Sequence, residues 1–234
     1  MTLYRAEVLV FAIAFAVLGL VALALVWSGD WAYALLASLN GVDRLTFLLG
    51  ASVLDPRPAS TPIDLGTAIS WHHAWATYVT GASDQPAISW GLPVFSNDEY
   101  AHMEDVRAVF HGAEVAAVLS FAVAGFRVLR ARSQGYALRL VRAGSVVAAA
   151  IVVGIGVAAV AAFDQLFLLF HEVFFPQGNF LFPPDSNLIR LYPEWYWQGI
   201  TAGVGVSFIA LALAVAGAAH IALTRRPNTY TPAG

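Results

Sequence analysis

The sequence contains neither cysteine nor lysine in its 234 residues, and charged residues of any kind are scarce. Without cysteine there is no disulfide, no thiolate metal site and no cysteine nucleophile. Charged residues make up 12% of the chain and hydrophobic residues 59%, whereas soluble globular domains carry about 25% charged residues. This composition is typical of membrane proteins. A net charge of only −3 and the lack of a basic stripe argue against nucleic acid as a partner.

Long apolar runs are abundant, and four of them can cross a bilayer. They cover residues 8–27, 108–126, 143–169 and 199–223. At 1.5 Å per residue, the first run of about twenty residues matches a hydrocarbon core. A cleaved signal peptide is the alternative, but its apolar core usually has about 7–15 residues, and Val26-Trp27-Ser28 lacks the small residues of a cleavage site. We therefore predict an all-α membrane protein, a single domain over 1–234 with four transmembrane helices.

Arginine positions predict the orientation of these helices in the membrane. If both termini are inside, the inner segments hold eight arginines: Arg5, Arg127, Arg130, Arg132, Arg139, Arg142, Arg225 and Arg226. Only four remain for the much longer outer segments: Arg44, Arg57, Arg107 and Arg190. Positive charge in short loops favours the cytoplasmic side. The sequence therefore predicts a multi-pass protein of the cell membrane with both termini in the cytoplasm.

The two outer segments, about 28–107 and 170–198, are predicted to form a helical extracytoplasmic cap and a loop rich in aromatic residues and proline. Asp30–Gly50 has the pattern of an amphipathic helix lying on the membrane. Leu54–Pro62 is rich in proline and is predicted to be a loop. Asp64 is predicted to cap a helix that continues to about Thr80.

Glycine is frequent in the third and fourth apolar runs. Gly144, Gly154 and Gly156 lie in the third run, and Gly199 and Gly203 form a Gly-x-x-x-Gly motif at the start of the fourth. Small residues at such spacing let helix backbones approach closely. We interpret these glycines as helix-packing positions.

His102 is the first candidate for chemistry, on a helix that Ser96 or Asn97 is predicted to cap. Glu99 and Asp105 lie three residues before and after it, on the same helical face. That face continues into the second apolar run, so the imidazole is expected to point into the helix bundle. The alternative is that the acidic residues only stabilise the positive end of the helix dipole.

His171 is the second candidate, at the end of the third apolar run. Phe167 precedes it by four residues, and Phe174 and Phe175 follow at three and four. The predicted topology places it at the depth of His102. Two histidines in an aromatic pocket suit acid–base catalysis, because an unperturbed imidazole titrates near neutral pH. The alternative is an interfacial residue of the aromatic belt.

A metal site is an alternative for the same side chains. The possible zinc ligands are His72, His73, His102, His171, Glu99, Asp105 and Glu172. However, no H-E-x-x-H motif occurs, and Glu-x-x-His occurs only once, at Glu99 and His102. We therefore predict no metal and no cofactor.

Four motifs follow one another along the chain. They are Phe95-Ser96-x-x-Glu99-x-x-His102-Met103-x-Asp105-Val106-Arg107-x-x-Phe110, Phe170-His171-x-x-Phe174-Phe175, Asn179-Phe180, and Asp185-x-x-Leu188-Ile189-Arg190-Leu191-Tyr192-Pro193-Glu194. Together, in this order, they resemble the motifs of the lipoprotein intramolecular transacylase family, Lit. The resemblance implies a four-helix bundle with an extracytoplasmic cap. It implies transfer of an acyl chain from the sn-2 ester of a diacylglyceryl-cysteine lipoprotein to the α-amine of that cysteine. The partners are then a diacylated lipoprotein and membrane lipid, and the catalytic residues are His102 and His171.

Supporting roles follow from what this reaction needs. Glu99, Asp105 or Asp164 would orient an imidazole, and Arg107, Arg190 or Asn179 would stabilise an oxyanion. The predicted pocket aromatics are Trp90, Phe95, Phe167, Phe174, Trp195 and Trp197. The two catalytic side chains are expected within about 7 Å of each other, and a distance beyond about 12 Å would contradict the assignment. A metal-dependent hydrolase and a non-catalytic membrane partner or chaperone remain the alternatives.

Overall fold

The computed structural model describes residues 2–50, 59–86 and 94–225, and this part of the chain forms eight helices and two strands. In chain order these elements are α1 (Thr2–Trp27), α2 (Asp30–Leu39), β1 (Arg44–Leu49), β2 (Ala59–Asp64), α3 (Leu65–Val79), α4 (Asn97–Ser133), α5 (Ala137–Ala161), α6 (Phe163–Phe174), α7 (Asn187–Leu191) and α8 (Glu194–Thr224). Helices α1, α4, α5 and α8 are long and apolar enough to cross a membrane. The prediction of an all-α membrane protein with four spans is confirmed, apart from the two short strands.

The described residues group into two compact units. The first unit falls within residues 1–22, 116–157 and 205–234, and the second within 23–115 and 158–204. Both candidate histidines, His102 and His171, belong to the second unit.

The core of the first unit is built from small and aromatic side chains of its long helices. Phe11 and Leu140 are buried there. A Cβ on Gly144 would lie 2.3 Å from the ring of Phe11, so glycine is required for this approach. By contrast, Gly154 and Gly156 have no described neighbour within 4 Å of a built Cβ. The packing interpretation is therefore correct for Gly144 and wrong for the other two glycines.

An aromatic core fills the second unit. Tyr33, Phe47 and Trp75 are completely buried in it, and the Tyr33 hydroxyl donates a hydrogen bond to the Leu191 carbonyl at 2.7 Å. A Cβ on Gly199 would lie 2.4 Å from the Leu36 side chain. The interpretation of this glycine as a packing position is therefore confirmed.

The region after α2 forms a β-hairpin where the sequence predicted a helix and a loop. Helix α2 stops at Leu39 because Gly41 adopts a left-handed φ of +65° and the Val42 amide donates to the Ala37 carbonyl at 2.9 Å. β1 then pairs antiparallel with β2, from Arg44 opposite Asp64 to Leu49 opposite Ala59. Leu45 and Phe47 point inward from β1, with the alternation of a half-buried strand. The helix predicted over 30–50 is thus wrong beyond residue 39, and the loop predicted over 54–62 is wrong for 59–62.

Two further predicted helices can be compared with the structure. Asp64 caps α3 as predicted, because its carboxylate accepts a hydrogen bond from the Thr67 amide at 3.0 Å.

The third apolar run, predicted as one helix over 143–169, is interrupted. Ala162 adopts φ −150° and ψ +50° and separates α5 from α6. His171 therefore lies on a separate helix of twelve residues, α6, and not on the membrane-spanning helix α5.

Candidate active site

A reciprocal capping arrangement begins helix α4 and fixes the position of His102. The Glu99 amide donates to the Ser96 hydroxyl at 3.2 Å, and the Ser96 amide donates to the Glu99 carboxylate at 2.6 Å. Ser96 is therefore the cap, one of the two residues predicted. His102 follows one turn later and is buried, with only 6% of its surface exposed.

Helix α6 presents His171 with a defined ring orientation. Nδ1 of His171 lies 2.8 Å from the carbonyl oxygen of Phe167, one turn earlier. A carbonyl oxygen only accepts hydrogen bonds, so this nitrogen carries the proton and the lone pair of the neutral ring is on Nε2. Burial lowers the pKa of His171 below its ordinary value of 6.5, although the bond to Phe167 opposes the shift. The neutral form is therefore the main one at pH 7.

The two histidines lie next to each other. Their ring centroids are 6.3 Å apart, and the ring planes differ by only 18°. This separation is inside the limit of about 7 Å expected if both side chains act on one small group. Nδ1 of His102 is buried without a hydrogen-bond partner.

Phenylalanine rings surround the pair. Phe175 lies 4.8 Å from His102 and 5.5 Å from His171, so it contacts both imidazoles. Phe182 packs edge-on against His102 at 5.4 Å. Phe167, Phe170 and Phe180 contact His171 at 4.2, 5.5 and 5.2 Å. The histidines are thus held in an apolar environment, as the sequence predicted.

Of the predicted pocket aromatics that the structure describes, Phe167 packs on His171, whereas the other four pack on other rings. Phe174 is half exposed and packs against Phe170, because α6 ends there and the chain turns Phe175 inward instead. Phe95 is buried between Trp71 and Trp75.

Trp195 packs on Tyr33 at 5.7 Å, within the core of the second unit. Trp197 lies behind Phe167 at 5.8 Å and supports the pocket wall from outside. Trp90 lies outside the described residues. Phe175 had been placed next to His171 by its spacing but was not counted among the pocket aromatics. Phe180 and Phe182 were missed, although the density of aromatic residues in 170–198 was a visible signal.

Glu99 has a structural role rather than contact with an imidazole. Its carboxylate accepts hydrogen bonds from the Ser186 hydroxyl and, at 2.7 Å, from the Leu188 amide, in addition to the Ser96 amide. The residue is only 3% exposed, and a buried carboxylate needs such donors. Glu99 therefore joins the start of α4 to α7, which corrects its predicted role.

Asp164 also has a different position from the one predicted. It is exposed in the first turn of α6, where a negative charge stabilises the helix N-terminus.

The two arginines predicted as oxyanion donors are engaged elsewhere. Arg107 forms an ion pair with Asp84 at 2.6 Å and lies over the ring of Tyr78 at 4.6 Å. Arg190 donates to the carbonyls of Asp185 and Thr46, at 3.1 and 2.9 Å, and so ties α7 to β1. Both are structural contacts, which corrects the predicted roles.

Asp105 and Asn179 do lie at the histidine pair. The Asp105 carboxylate accepts hydrogen bonds from the side-chain amides of Asn179 and Gln177. The charge of Asp105 and the polar side chain of Asn179 act electrostatically on the His102 ring. Gln177 had not been singled out from the sequence.

A groove of about 570 Å³ lies beside the two histidines. One residue lines both the groove and the aromatic wall around the histidines. The start of α4 and residues 182–187 line the groove, including Ser96, Asp98 and Asp185. Phe182 faces this groove and also contacts His102. The groove therefore leads to the aromatic wall of the site without including either histidine.

The remaining histidines do not assemble a metal site with the pair. His72 is buried, with Nδ1 3.2 Å from the Tyr192 hydroxyl and Nε2 3.1 Å from the Ser28 carbonyl. His73 pairs with Asp30 at 2.9 Å. Among the residues that the structure describes, no three His, Asp or Glu side chains could hold one metal ion. His72 is a core residue of the second unit, with 2% of its surface exposed, and not part of a metal site.

The family model described as lipoprotein intramolecular transacylase Lit matches residues 75–197. This stretch is more than half of the chain and includes both histidines. No curated protein sequence matches the chain.

Solved structures of the membrane integral lipoprotein intramolecular transacylase Lit from Bacillus cereus share the fold. One aligns with a TM-score of 0.68 at 13% sequence identity and covers 96% of this chain and 97% of the other. A variant of that protein with one histidine replaced by alanine aligns with a TM-score of 0.66 at 13% identity, covering 96% and 95%. A variant with arginine at a histidine position gives 0.64 at 14% identity, covering 96% and 93%. The likeness extends over nearly the full length of both chains.

Proposed function

This chain belongs to the lipoprotein intramolecular transacylase family, Lit, and from that premise we propose the reaction and the residues that carry it. The enzyme is an acyltransferase of the membrane. It moves the acyl chain of the sn-2 ester of a diacylglyceryl-cysteine lipoprotein onto the α-amine of the same cysteine. The ester C–O bond breaks, an amide C–N bond forms, and the glycerol oxygen becomes a hydroxyl.

The observation that carries this proposal is the 6.3 Å separation of the His102 and His171 rings inside an apolar wall. Ester aminolysis needs a base that takes a proton from the attacking amine and an acid that gives one to the leaving oxygen. Two imidazoles at this distance can serve two atoms of one tetrahedral intermediate. A folded lipopeptide held between them brings its amine and its ester together without a second molecule.

His171 is the base in this proposal. Its Nδ1–H is committed to the Phe167 carbonyl, which leaves the lone pair of Nε2 to accept the proton of the amine. The lowered pKa keeps that lone pair free at neutral pH. His102 is then the acid, which gives its N–H proton to the glycerol oxygen as the ester bond breaks. The proton that His171 took from the amine returns to His102, so both imidazoles are neutral again after each turnover.

The aromatic wall supports transfer to an amine over transfer to water. Phe175 and Phe182 pack directly on His102, and Phe180 packs on His171. Apolar rings exclude water from the imidazoles, so hydrolysis of the ester is suppressed. The same surface suits the acyl chain that is transferred.

The active site faces the extracytoplasmic side in this proposal, with both termini inside the cell. Eight of the twelve arginines lie in the short segments that would be inside, near both termini and between the second and third spans. Positive charge in short loops favours the cytoplasmic side of membrane proteins. The segments that carry both histidines would then be outside and would meet lipoproteins at the outer leaflet.

The test is to express the chain in a bacterium that makes diacyl lipoproteins with a free α-amine and to analyse the N-terminal lipopeptide by mass spectrometry. Wild type is expected to place one acyl chain on the amine and leave a free glycerol hydroxyl. An unchanged free amine in cells that contain the folded enzyme would overturn the proposal.

His220→Ala is the matched control, because His220 is an exposed residue of the first unit, and it should retain activity. Activity that a chelator abolishes would favour the metal alternative.

A further inference from the structure

The groove beside the aromatic wall has a polar and acidic lining. Of the twelve described residues that line it, seven are polar or charged. Three of these are acidic, Asp98, Glu99 and Asp185, and none of the twelve is basic. Its volume of about 570 Å³ lies within the range of about 300–1,000 Å³ that is usual for ligand sites. The groove is therefore large enough for a ligand and suited to positive charge.

Two buried side chains hold the floor of the groove in place. Glu99 accepts hydrogen bonds from the Ser96 and Leu188 amides at 2.6 and 2.7 Å, and so joins two of the segments that form the groove. Asn187 accepts from the Leu48 amide at 2.8 Å and donates to the Leu48 carbonyl at 2.9 Å. Both side chains belong to residues that are more than nine-tenths buried, with 3% and 7% exposed. Internal hydrogen bonds therefore preform the groove.

Asp98 and Asp185 carry the charges that a ligand can reach. Asp98 lies in the first turn of α4, and Asp185 lies just before α7. Both residues are exposed, and neither carboxylate has a hydrogen-bond or ion-pair partner among the described residues. The neighbouring cation, Arg190, is bound to the main-chain carbonyls of Asp185 and Thr46. The two carboxylates are thus free to pair with a cationic group of a ligand.

Phe182 connects the groove to the two histidines. Its ring packs edge-on against His102 at 5.4 Å, and the same residue lines the groove. An extended polypeptide advances about 3.3–3.6 Å per residue. A chain whose first residue lies at the histidines would therefore pass Phe182 and enter the groove within about two residues.

We propose that this groove binds the polypeptide of the lipoprotein substrate over the first few residues after the lipidated cysteine, and that Asp98 and Asp185 favour basic residues there. This inference rests on the proposed function, because that function places the cysteine at the two histidines. The acyl chain then lies along the phenylalanine rings, and the polypeptide leaves past Phe182. The groove selects among lipoproteins by the charge that follows the cysteine.

An acyl chain is the other occupant to consider, and the lining argues against it. Hydrocarbon packed on Asp98 and Asp185 would remove water from two carboxylates without giving them a partner, which is costly. The apolar rings of Phe175 and Phe180 lie against the histidines instead. The main-chain amides and basic side chains of a polypeptide supply the donors that carboxylates need.

The kinetic test compares two synthetic diacylglyceryl-cysteine lipopeptides, one in which four lysines follow the lipidated cysteine and one in which four glutamates follow it. The full-length protein is used in nanodiscs of phosphatidylcholine, whose headgroups have no net charge, and mass spectrometry measures the N-acylated product. Wild type should favour the lysine peptide in kcat/KM by about fivefold or more, because each exposed charge pair changes a binding constant about two- to fivefold. Asp98→Asn combined with Asp185→Asn should reduce this preference to less than about twofold.

The control variant combines Asp43→Asn with Glu104→Gln. Both residues are exposed members of the second unit outside the groove lining, so the same charge is removed elsewhere, and the wild-type preference should remain. An equal loss of preference in both double variants would mean a general effect of net charge and would overturn the proposal. Equal kcat/KM for the two peptides in wild type, or an unchanged preference without Asp98 and Asp185, would also overturn it. The ratio of two substrates does not depend on the folded fraction, so a loss of stability cannot imitate these results.

Photocrosslinking separates this proposal from the proposed function, because it needs no turnover. The probe is the lysine lipopeptide with a benzoylphenylalanine as the second residue after the cysteine. Illumination with wild type should crosslink it to residues 94–99 and 182–187. Crosslinks there without acyl transfer would support the groove and refute the transacylase function alone. Crosslinks only elsewhere, or none, would refute the groove even where the acyl chain is transferred.

Discussion

The imidazole rings of His102 and His171 lie 6.3 Å apart and nearly parallel, although the two residues belong to different helices, α4 and α6. The two rings differ in their hydrogen bonds. His171 is anchored through Nδ1 to a backbone carbonyl, whereas Nδ1 of His102 is buried without a partner. The bond to the carbonyl places the lone pair of neutral His171 on Nε2, which is the arrangement that a base needs.

The pH dependence of turnover should report the neutral form of His171. Burial lowers its pKa below 6.5, so the base is free at neutral pH and becomes protonated only as the pH falls below 6.5. We therefore expect an acid limb below pH 6.5 in the profile of kcat/KM. The α-amine of the free substrate has a pKa of about 8. Its titration therefore produces a separate limb at higher pH.

Two lipopeptides whose amines have different pKa values identify the limbs. The upper limb should move with the substrate, and the lower limb should stay in place. A profile in which every limb follows the substrate, or in which enzyme activity is already halved above pH 6.5, would contradict the role of His171.

Glu99 should be needed for stability rather than for chemistry. Replacement by alanine leaves the Leu188 and Ser96 amides without their buried acceptor. Loss of hydrogen bonds to a charged group costs about 2–3 kcal/mol, so chemical unfolding in detergent should occur at a clearly lower denaturant concentration. Glu99→Gln keeps one oxygen acceptor and should lose less. The exposed Glu104 provides the control, Glu104→Ala, and equal stability of the two alanine variants would refute this role.

His72 should make the second unit sensitive to acid. Burial lowers its pKa to about 4, against the opposing effect of Asp30. In the unfolded chain His72 takes up a proton near pH 6.5, whereas in the folded chain it does so only near pH 4. Protonation therefore favours the unfolded chain between these values, and the stability that the protein has above pH 6.5 is lost as the pH falls. Between pH 7 and 5 the loss is about 2 kcal/mol.

The measurement for His72 is unfolding at both pH values for wild type, His72→Gln and His73→Gln. The His72 variant should be less stable at pH 7 but should lose less on acidification. His73 is exposed and paired with Asp30, so its variant should keep most of the acid-sensitive step. An unchanged pH dependence in His72→Gln would contradict the assignment.

Gly203 and Gly205 form a matched pair for testing helix packing in α8. A Cβ on Gly203 would lie 2.5 Å from the Trp27 ring, whereas one on Gly205 would have no described neighbour within 4 Å. An indole cannot yield easily, so Gly203→Ala should cost about 1–3 kcal/mol. Gly205→Ala should be neutral or slightly stabilising, because alanine favours a helix by about 1 kcal/mol. Equal melting temperatures for the two variants would contradict the packing.

The sequence was sufficient for features that depend on local pattern. Four apolar runs predicted the four spans, Asp64 and Ser96 predicted two helix starts, and Phe167 was placed on His171 by helical spacing. Each of these depends on residues within one or two turns. The same holds for the turn at Phe175–Gly178, in which the Gly178 amide donates to the Phe175 carbonyl, and whose Pro and Gly were visible but were not used.

Features that depend on distant residues could not be predicted. Two of the three donors to Glu99, the Ser186 hydroxyl and the Leu188 amide, lie at the start of α7, almost ninety residues away. An acidic residue close to His102 in the sequence was therefore wrongly given a role on the imidazole. Ala162 interrupts a helix without a proline or glycine to mark the position. The strand β1 pairs with β2, and its alternation of Leu45 and Phe47 is too short to exclude a helix.

The most direct test of the account is the rate of acyl transfer to the amine by His102→Ala, His171→Ala and the double variant, each purified as folded protein. If the two imidazoles act as one acid–base pair, each single variant should lose at least about a hundredfold in kcat, and the double variant should be no slower than the slower single variant. His220→Ala should retain the wild-type rate. A single variant that keeps most of the activity, or a double variant that loses the product of both factors, would contradict the account.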